Sequence, residues 1–253
     1  MIEIKDVQKS FGENEVLKSI SVQFEPGKTS LVIGSSGSGK TVLMKCMVGL
    51  MNPTSGHILY NGNIDFVLLE EKEKKEIRKE IGMLFQGAAL FDSMSVERNV
   101  MFPLNMFTRM TTKEKLTRVD ECLDRVNLKG SNRLMPSELS GGMRKRVGIA
   151  RAIVMNPKYL FCDEPNSGLD PQTSILIDEL IHEITEEFNI ITIVNTHDMN
   201  SVIGIGDYIL FLNKGEKAWE GDKRTVLRSD SQALNDFIFA SKYLREIKAQ
   251  LVK

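Results

Sequence analysis

The chain predicts an α/β fold on a largely parallel sheet, and two observations carry that reading. From residue 29 onward short, apolar, β-rich runs alternate with segments of helical period, and the first of them, Thr29 to Ile33, passes through a glycine-rich loop into a helix. Strands joined by helical crossovers lie parallel and are covered on both faces, so their runs are apolar throughout rather than alternating. Size and composition agree: 253 residues, 42% hydrophobic and 26% charged, are ordinary for a globular protein. A chain of this length can bury roughly 70% of its unfolded surface.

Charge and cysteine usage exclude several roles. Thirty-three Lys and Arg against thirty-four Asp and Glu leave no basic field for tight non-specific nucleic-acid binding. Cys46, Cys122 and Cys162 stand too far apart for zinc pairs or a small disulfide framework, which points to a reducing compartment. Met1 to Asp6 enter strand-like alternation directly, without the charged and apolar regions of a secretion signal. No run reaches the roughly 18 apolar residues of a spanning helix, so any work at a membrane is expected from outside the bilayer.

Element by element, Ile2 to Val7 and Val16 to Phe24 read as two strands separated by Gly12, Glu13 and Asn14 and closed by Pro26-Gly27, an antiparallel β start. After the strand Thr29 to Ile33, a helix runs through Leu43, Met44, Met47 and Leu50. A turn at Asn52 to Gly56 leads to a strand at His57 to Tyr60, and Glu70 to Glu80, crowded with both signs of charge, reads as a solvated helix. Ile81 to Phe85 is a strand, and from Met94 to Val126 the pattern becomes helical, the candidate subdomain. Ser140-Gly141-Gly142 precede a helix to Val154, Tyr159 to Cys162 is a buried strand, Pro171 to Phe188 a helix and Ile190 to Val194 a strand. Asp207 to Leu212 and Lys217 to Trp219 form a closing hairpin. In the tail, Leu234, Phe237, Ile238, Leu244, Ile247 and Leu251 recur at roughly helical spacing, an apolar stripe for this chain's own core or for a neighbour.

The chemistry concentrates in two places. Gly34-Ser35-Ser36-Gly37-Ser38-Gly39-Lys40-Thr41 fits the P-loop pattern between a strand and a helix. Its glycines let main-chain N–H groups and the helix N-terminus converge on phosphate oxygens, while Lys40 supplies a point charge and Thr41 a hydroxyl for Mg²⁺. The apolar strand from Tyr159 ends in Asp163 and Glu164, at the carboxyl end of a parallel strand where α/β sheets gather ligands. Either acid alone could simply cap the helix near Pro171; with a P-loop upstream, Asp163 suits Mg²⁺ and Glu164 suits activation of the attacking water.

With Leu139-Ser140-Gly141-Gly142-Met143 between those two motifs, the chain resembles the ATP-binding subunits of ABC transporters over nearly its whole length. The resemblance implies a P-loop NTPase (RecA-like) core with an N-terminal antiparallel β subdomain and an inserted α-helical signature subdomain. Its expected boundaries are 1–86 and 157–221 for the core, 87–156 for the signature subdomain and 222–253 for a helical tail. It also implies that Gln86 is the Q-loop glutamine at Mg²⁺, that Ser167-Gly168-Leu169-Asp170 is the D-loop, that His197 is the switch histidine and that Phe11 stacks on adenine. Two copies would close over two ATP, with Ser140, Gly141 and Gly142 of one facing the γ-phosphate bound by the P-loop of the other. Met143 replaces the usual glutamine and Gly168 the usual alanine; neither change removes a charged group, so hydrolysis is expected to survive both.

The stretch Leu84 to Val100, continuing to Pro103-Leu104, resembles more narrowly the phospholipid-transport ATPases of the Mla system and its MCE-associated relatives. That resemblance implies a separate transmembrane permease, an MCE-domain protein, a small accessory subunit and a peripheral place on the cytoplasmic face of the inner membrane. Methionine, amino-acid and lipoprotein-release ATPases are the nearest alternatives. A soluble ABC ATPase of ribosomes or DNA repair fits less well, because the chain has one cassette, no long coiled-coil insertion and no excess of positive charge. Phe85, Leu90, Phe91, Met94 and Met101 read mainly as core of the helical block, with one or two left to line a groove for a partner helix.

Overall fold

The computed structural model describes residues 1–239, so Leu244, Ile247 and Leu251 of the tail stripe lie outside the described residues. In chain order the elements are β1 (Ile2–Phe11), β2 (Asn14–Phe24), β3 (Thr29–Ile33), α1 (Lys40–Met47), β4 (Ser55–Tyr60), β5 (Ile64–Asp65), α2 (Glu71–Lys79) and β6 (Ile81–Leu84). Then come α3 (Val96–Phe107), α4 (Thr112–Arg125), α5 (Gly141–Ile153), β7 (Tyr159–Asp163), α6 (Pro171–Glu187) and β8 (Ile191–Asn195). The described part closes with α7 (Met199–Ile205), β9 (Tyr208–Asn213), β10 (Glu216–Gly221) and α8 (Gln232–Ile238). None of the described helices is long and apolar enough to cross a membrane.

Internal contacts divide the chain into two units. Among the described residues the first comprises Met1–Glu25, Thr29–Leu68 and 195–239. It holds an antiparallel sheet in the order β2-β1-β4-β5, with Ile2 opposite Phe24 and Ile4 opposite Val22, and a second set of strands in which β3 pairs in parallel with β9 and β9 forms a hairpin with β10. Ile2, Ile4, Leu17, Ile20, Leu31 and Ile33 are fully or almost fully buried there. The Phe211 and Phe237 rings lie 5.3 Å apart, so the start of the tail stripe packs on β9 of its own chain.

The second unit comprises Pro26–Lys28 and Leu69–Val194. Its strands lie in the order β8-β7-β6, with β6 and β7 parallel and Ile81 to Leu84 paired with Tyr159 to Cys162. Helix α5 lies directly on β6; a Cβ on its Gly148 would stand 2.6 Å from Leu84 Cδ1, so glycine sets how closely the helix approaches. The helical block expected from Met94 to Val126 is helical and consists of two helices, α3 and α4. Thr108 is extended, and the Thr111 hydroxyl accepts from Glu114 N–H while the Glu114 carboxylate accepts from Thr111 N–H, a capping box that starts α4 anew.

Before α3, the loop 91–95 is held by one side chain. Asn99 is fully buried; its Oδ1 accepts from Phe91 N–H (2.8 Å) and its Nδ2 donates to the carbonyls of Phe91 (3.1 Å), Met94 (2.9 Å) and Ser95 (3.1 Å). Asn99→Ala strips these buried main-chain groups of their partner, and the expected loss is about 2–3 kcal/mol of unfolding free energy, measured as a lower urea midpoint at unchanged slope.

Candidate active site

In the first unit, β3 is buried along its whole length and delivers the chain into Gly34. There φ is +149°, and a Cβ would stand 2.2 Å from the Leu212 carbonyl oxygen of β9 and 2.6 Å from Ser38 Oγ, so only glycine permits the turn. Gly39, left-handed at φ 106°, is the N-cap of α1 and brings no side chain to that terminus, which keeps the positive end of the helix dipole for an anion. Lys40 is buried, and its Nζ donates to the carbonyls of Gly34 (2.8 Å) and Ser35 (3.2 Å), which folds the cation over the mouth of the loop formed by Gly34, Ser35, Ser36, Gly37, Ser38 and Gly39. Ser38 Oγ is buried with no hydrogen-bond partner among the described residues, as a hydroxyl aimed at an anion would be.

Two further candidates belong to this unit. Thr196 N–H donates to the Val32 carbonyl of β3 (3.2 Å), so the exposed His197 follows a segment tied beside the carboxyl end of the strand that feeds the glycine loop. Phe11 ends β1 about half exposed, with Lys9 Nζ 5.1 Å from its ring centroid. Thr41, second residue of α1, is half-buried.

In the second unit, β7 is buried until Asp163, and Glu164 then turns left-handed at φ 50°, a strained conformation for a side chain of this kind. The turn is held by Ser167 N–H donating to the Glu164 carbonyl (3.2 Å). Gln86 lies two residues beyond β6, and its Nε2 reaches Ser167 Oγ at 3.4 Å. Asp170 caps α6, accepting from Thr173 Oγ1 (2.6 Å) and Thr173 N–H (3.0 Å), and these bonds, the hydroxyl's first, hold its carboxyl below the ordinary range. Ser140 caps α5 by accepting from Met143 N–H (3.2 Å). A Cβ on Gly141 would lie 3.2 Å from Leu169 and one on Gly142 2.6 Å from Thr173, so the Ser140 segment lies against 169–173 of its own chain. Gln86, Glu164, Ser167 and the 140–142 segment are thus gathered in one unit, and the glycine loop, Lys40 and the His197 segment in the other.

The sequence pattern described as ABC transporter matches residues 17–167. The chain belongs to the ABC transporter ATP-binding family. This ABC ATPase is 37% identical over 237 residues to the probable ribonucleotide transport ATP-binding protein mkl of Mycobacterium leprae, across 94% of this chain and 68% of that protein. It is 37% identical over 240 residues to the intermembrane phospholipid transport system ATP-binding protein MlaF of Haemophilus influenzae, across 94% of this chain and 90% of that protein. Of solved structures, the dimeric post-hydrolysis state of the ATP-binding cassette MJ0796 bound to ADP and Pi superposes with a TM-score of 0.81 at 32% identity, covering 88% of this chain and 99% of that one. ATP hydrolysis is the activity of this ABC ATPase, and its P-loop NTPase fold is that of the family's cassettes.

Two side chains of this ABC ATPase escaped the sequence reading. Lys145, buried on α5, donates from Nζ to the carbonyls of Gln86 and Glu164, and Arg151 on the same helix donates to the carbonyls of Ala88 (2.6 Å) and Ala89 (2.8 Å). Burial is the leading cause that lowers the pKa of both groups. The only signal in the sequence was a basic run, Arg144-Lys145-Arg146, which looks like a solvated face. Gly34→Ala is expected to weaken binding of a fluorescent ATP analogue at least tenfold in equilibrium titration, because its Cβ must displace the β9 backbone.

Proposed function

We propose that this ABC ATPase drives a separate permease in phospholipid transport of the Mla or MCE type, dimerising with a second copy of itself around two ATP. The observation that carries the permease is an apolar groove on the second unit, of ≈ 430 Å³, lined among others by Phe85, Phe91, Phe102, Pro103, Phe107 and Met155. It is the size and chemistry for one short helix end of a membrane partner. The cargo class rests on the likeness of residues 84–104 to that subfamily and on the MlaF relative; the mkl relative, equally identical, carries a different cargo in its name. The further partners in this reading are an MCE-domain protein and a small accessory subunit, and its place is the cytoplasmic face of the inner membrane.

The roles follow residue by residue. The P-loop amides and Lys40 bind the β- and γ-phosphates, and Phe11 stacks on adenine. Thr41, Asp163 and Gln86 offer a hydroxyl, a carboxylate and a carboxamide oxygen, hard donors that suit magnesium sharing its shell with phosphate and water. When bound, that ion neutralises phosphate charge. Glu164 takes the proton of the attacking water, and His197 steadies the γ-phosphate. Ser140, Gly141 and Gly142 present a helix N-terminus to the ATP of the second copy, with Asp170 beside that interface. The domain division in this reading is a core of 1–86 and 157–221, a signature subdomain of 87–156 and a tail from 222.

Lys40→Ala is expected to abolish measurable ATP binding, and Glu164→Gln to retain binding but lose turnover by at least 100-fold, accumulating as a dimer in size-exclusion chromatography with ATP and Mg²⁺. A monomeric Glu164→Gln with normal turnover overturns the assignment. Phe107→Glu, at the rim of the groove, should leave the ATPase rate of the isolated chain within twofold while the chain no longer co-purifies with membranes carrying the permease. The cargo is tested by purifying the full complex and identifying its lipid by mass spectrometry. A complex stimulated by methionine and indifferent to phospholipid would exclude the phospholipid reading.

A further inference from the structure

Helix α5 holds a buried cation, Lys145, and a half-buried one, Arg151, whose hydrogen-bond partners are main-chain carbonyls. Arg151 grips Ala88 and Ala89, both in left-handed backbone at φ 61° and 46°. Lys145, 4% exposed, grips Gln86 and Glu164, the latter at 3.2 Å. The Glu164 carbonyl also accepts from Ser167 N–H, so this one oxygen of the left-handed Glu164 turn is held by two donors. A buried cation is costly unless it is well paired, and a carboxylate would pair with it more strongly than a carbonyl does. Here the paired atoms belong to the backbones of the two residues whose side chains are read at magnesium and at the attacking water. Pinning the main chain fixes where those side chains start.

We propose that Lys145 is a positioning residue for hydrolysis: its ammonium holds the Gln86 and Glu164 main chains in one arrangement, and so sets the reach of the Glu164 carboxylate toward the attacking water. Ser140 begins the same helix, so the segment that meets the second nucleotide and the carboxylate that acts on the first are joined through one side chain. Methionine, uncharged and of similar length, fills the space and removes every donor. The inference rests on the reading of Glu164 as the group that activates water.

The test is a double-mutant cycle on the full chain, with Lys145→Met measured alone and in the Glu164→Gln background, using single-turnover hydrolysis to capture slow rates. Misplacing a catalytic group by about 1 Å costs roughly 10- to 100-fold in rate. Lys145→Met alone is therefore expected to lower kcat by that factor, with the KM for ATP within twofold of wild type. In the Glu164→Gln background it should cost no more than twofold, because the group it positions is already disabled. Wild-type kcat in Lys145→Met, a loss of equal size in both backgrounds, or a parallel rise in KM each overturns the proposal. Glu164→Gln turning over at the wild-type rate identifies failure of the Glu164 reading itself, and with it this inference. If Lys145→Met does not fold, the cycle is run with Lys145→Gln; if neither folds, Lys145 is a structural residue and the proposal falls.

Discussion

Buried strands that must stop abruptly govern everything else in this molecule. A strand covered on both faces cannot fray into solvent, so the chain leaves it in a single sharp turn, and several of these turns need left-handed backbone. β3 ends in Gly34 at φ 149°, β7 in Glu164 at φ 50°, and the segment after β6 passes through Ala88 and Ala89 at φ 61° and 46°. Each turn throws main-chain groups and one or two side chains outward at the carboxyl end of its strand. Gln86, Asp163, Glu164 and His197 lie at a strand's end or within two residues of it, and Lys40 follows the turn that ends β3.

Strained turns persist only where the surroundings over-determine them, and cationic side chains do much of this by binding carbonyls. Lys40 ties Gly34 and Ser35, Lys145 ties Gln86 and Glu164, Arg151 ties Ala88 and Ala89, and Arg118 ties Ile153 (3.1 Å) and Val154 (3.0 Å) at the end of α5. All but the exposed Arg151–Ala89 bond are buried or partly buried, where water competes little. The exposed ion pairs, Lys79 with Glu76 and Arg125 with Glu183 and Glu187, sit in solvent and contribute at most a few tenths of a kcal/mol each. The informative cations are those that bind main-chain carbonyls.

Much of this was legible before any coordinates. The glycine loop is a local pattern: strand, left-handed glycines, lysine and helix fall within a dozen residues, so the chain that makes the loop also announces it. The apolar run from Tyr159 to Cys162 with acids behind it is local in the same way, as are the proline and aspartate that open α6. The break at Thr108 to Thr111 was legible in principle through the Thr111-Glu114 pair, yet a continuous helical period hid it. The two-residue β5 and the short α7 were missed because neither is long enough to show a period.

The sequence by itself determined the P-loop, the longer strands and helices in their order and the membership of the family, because each is written in short motifs and runs along the chain. Only the tertiary structure decided which of Arg144, Lys145 and Arg146 turns inward, and that Glu164 and Gln86, far apart in sequence, are held by the same ammonium. Three adjacent cations look alike in a sequence. At 100° per residue on a helix they point in three directions, and burial separates the one that meets two strand ends from the two that do not.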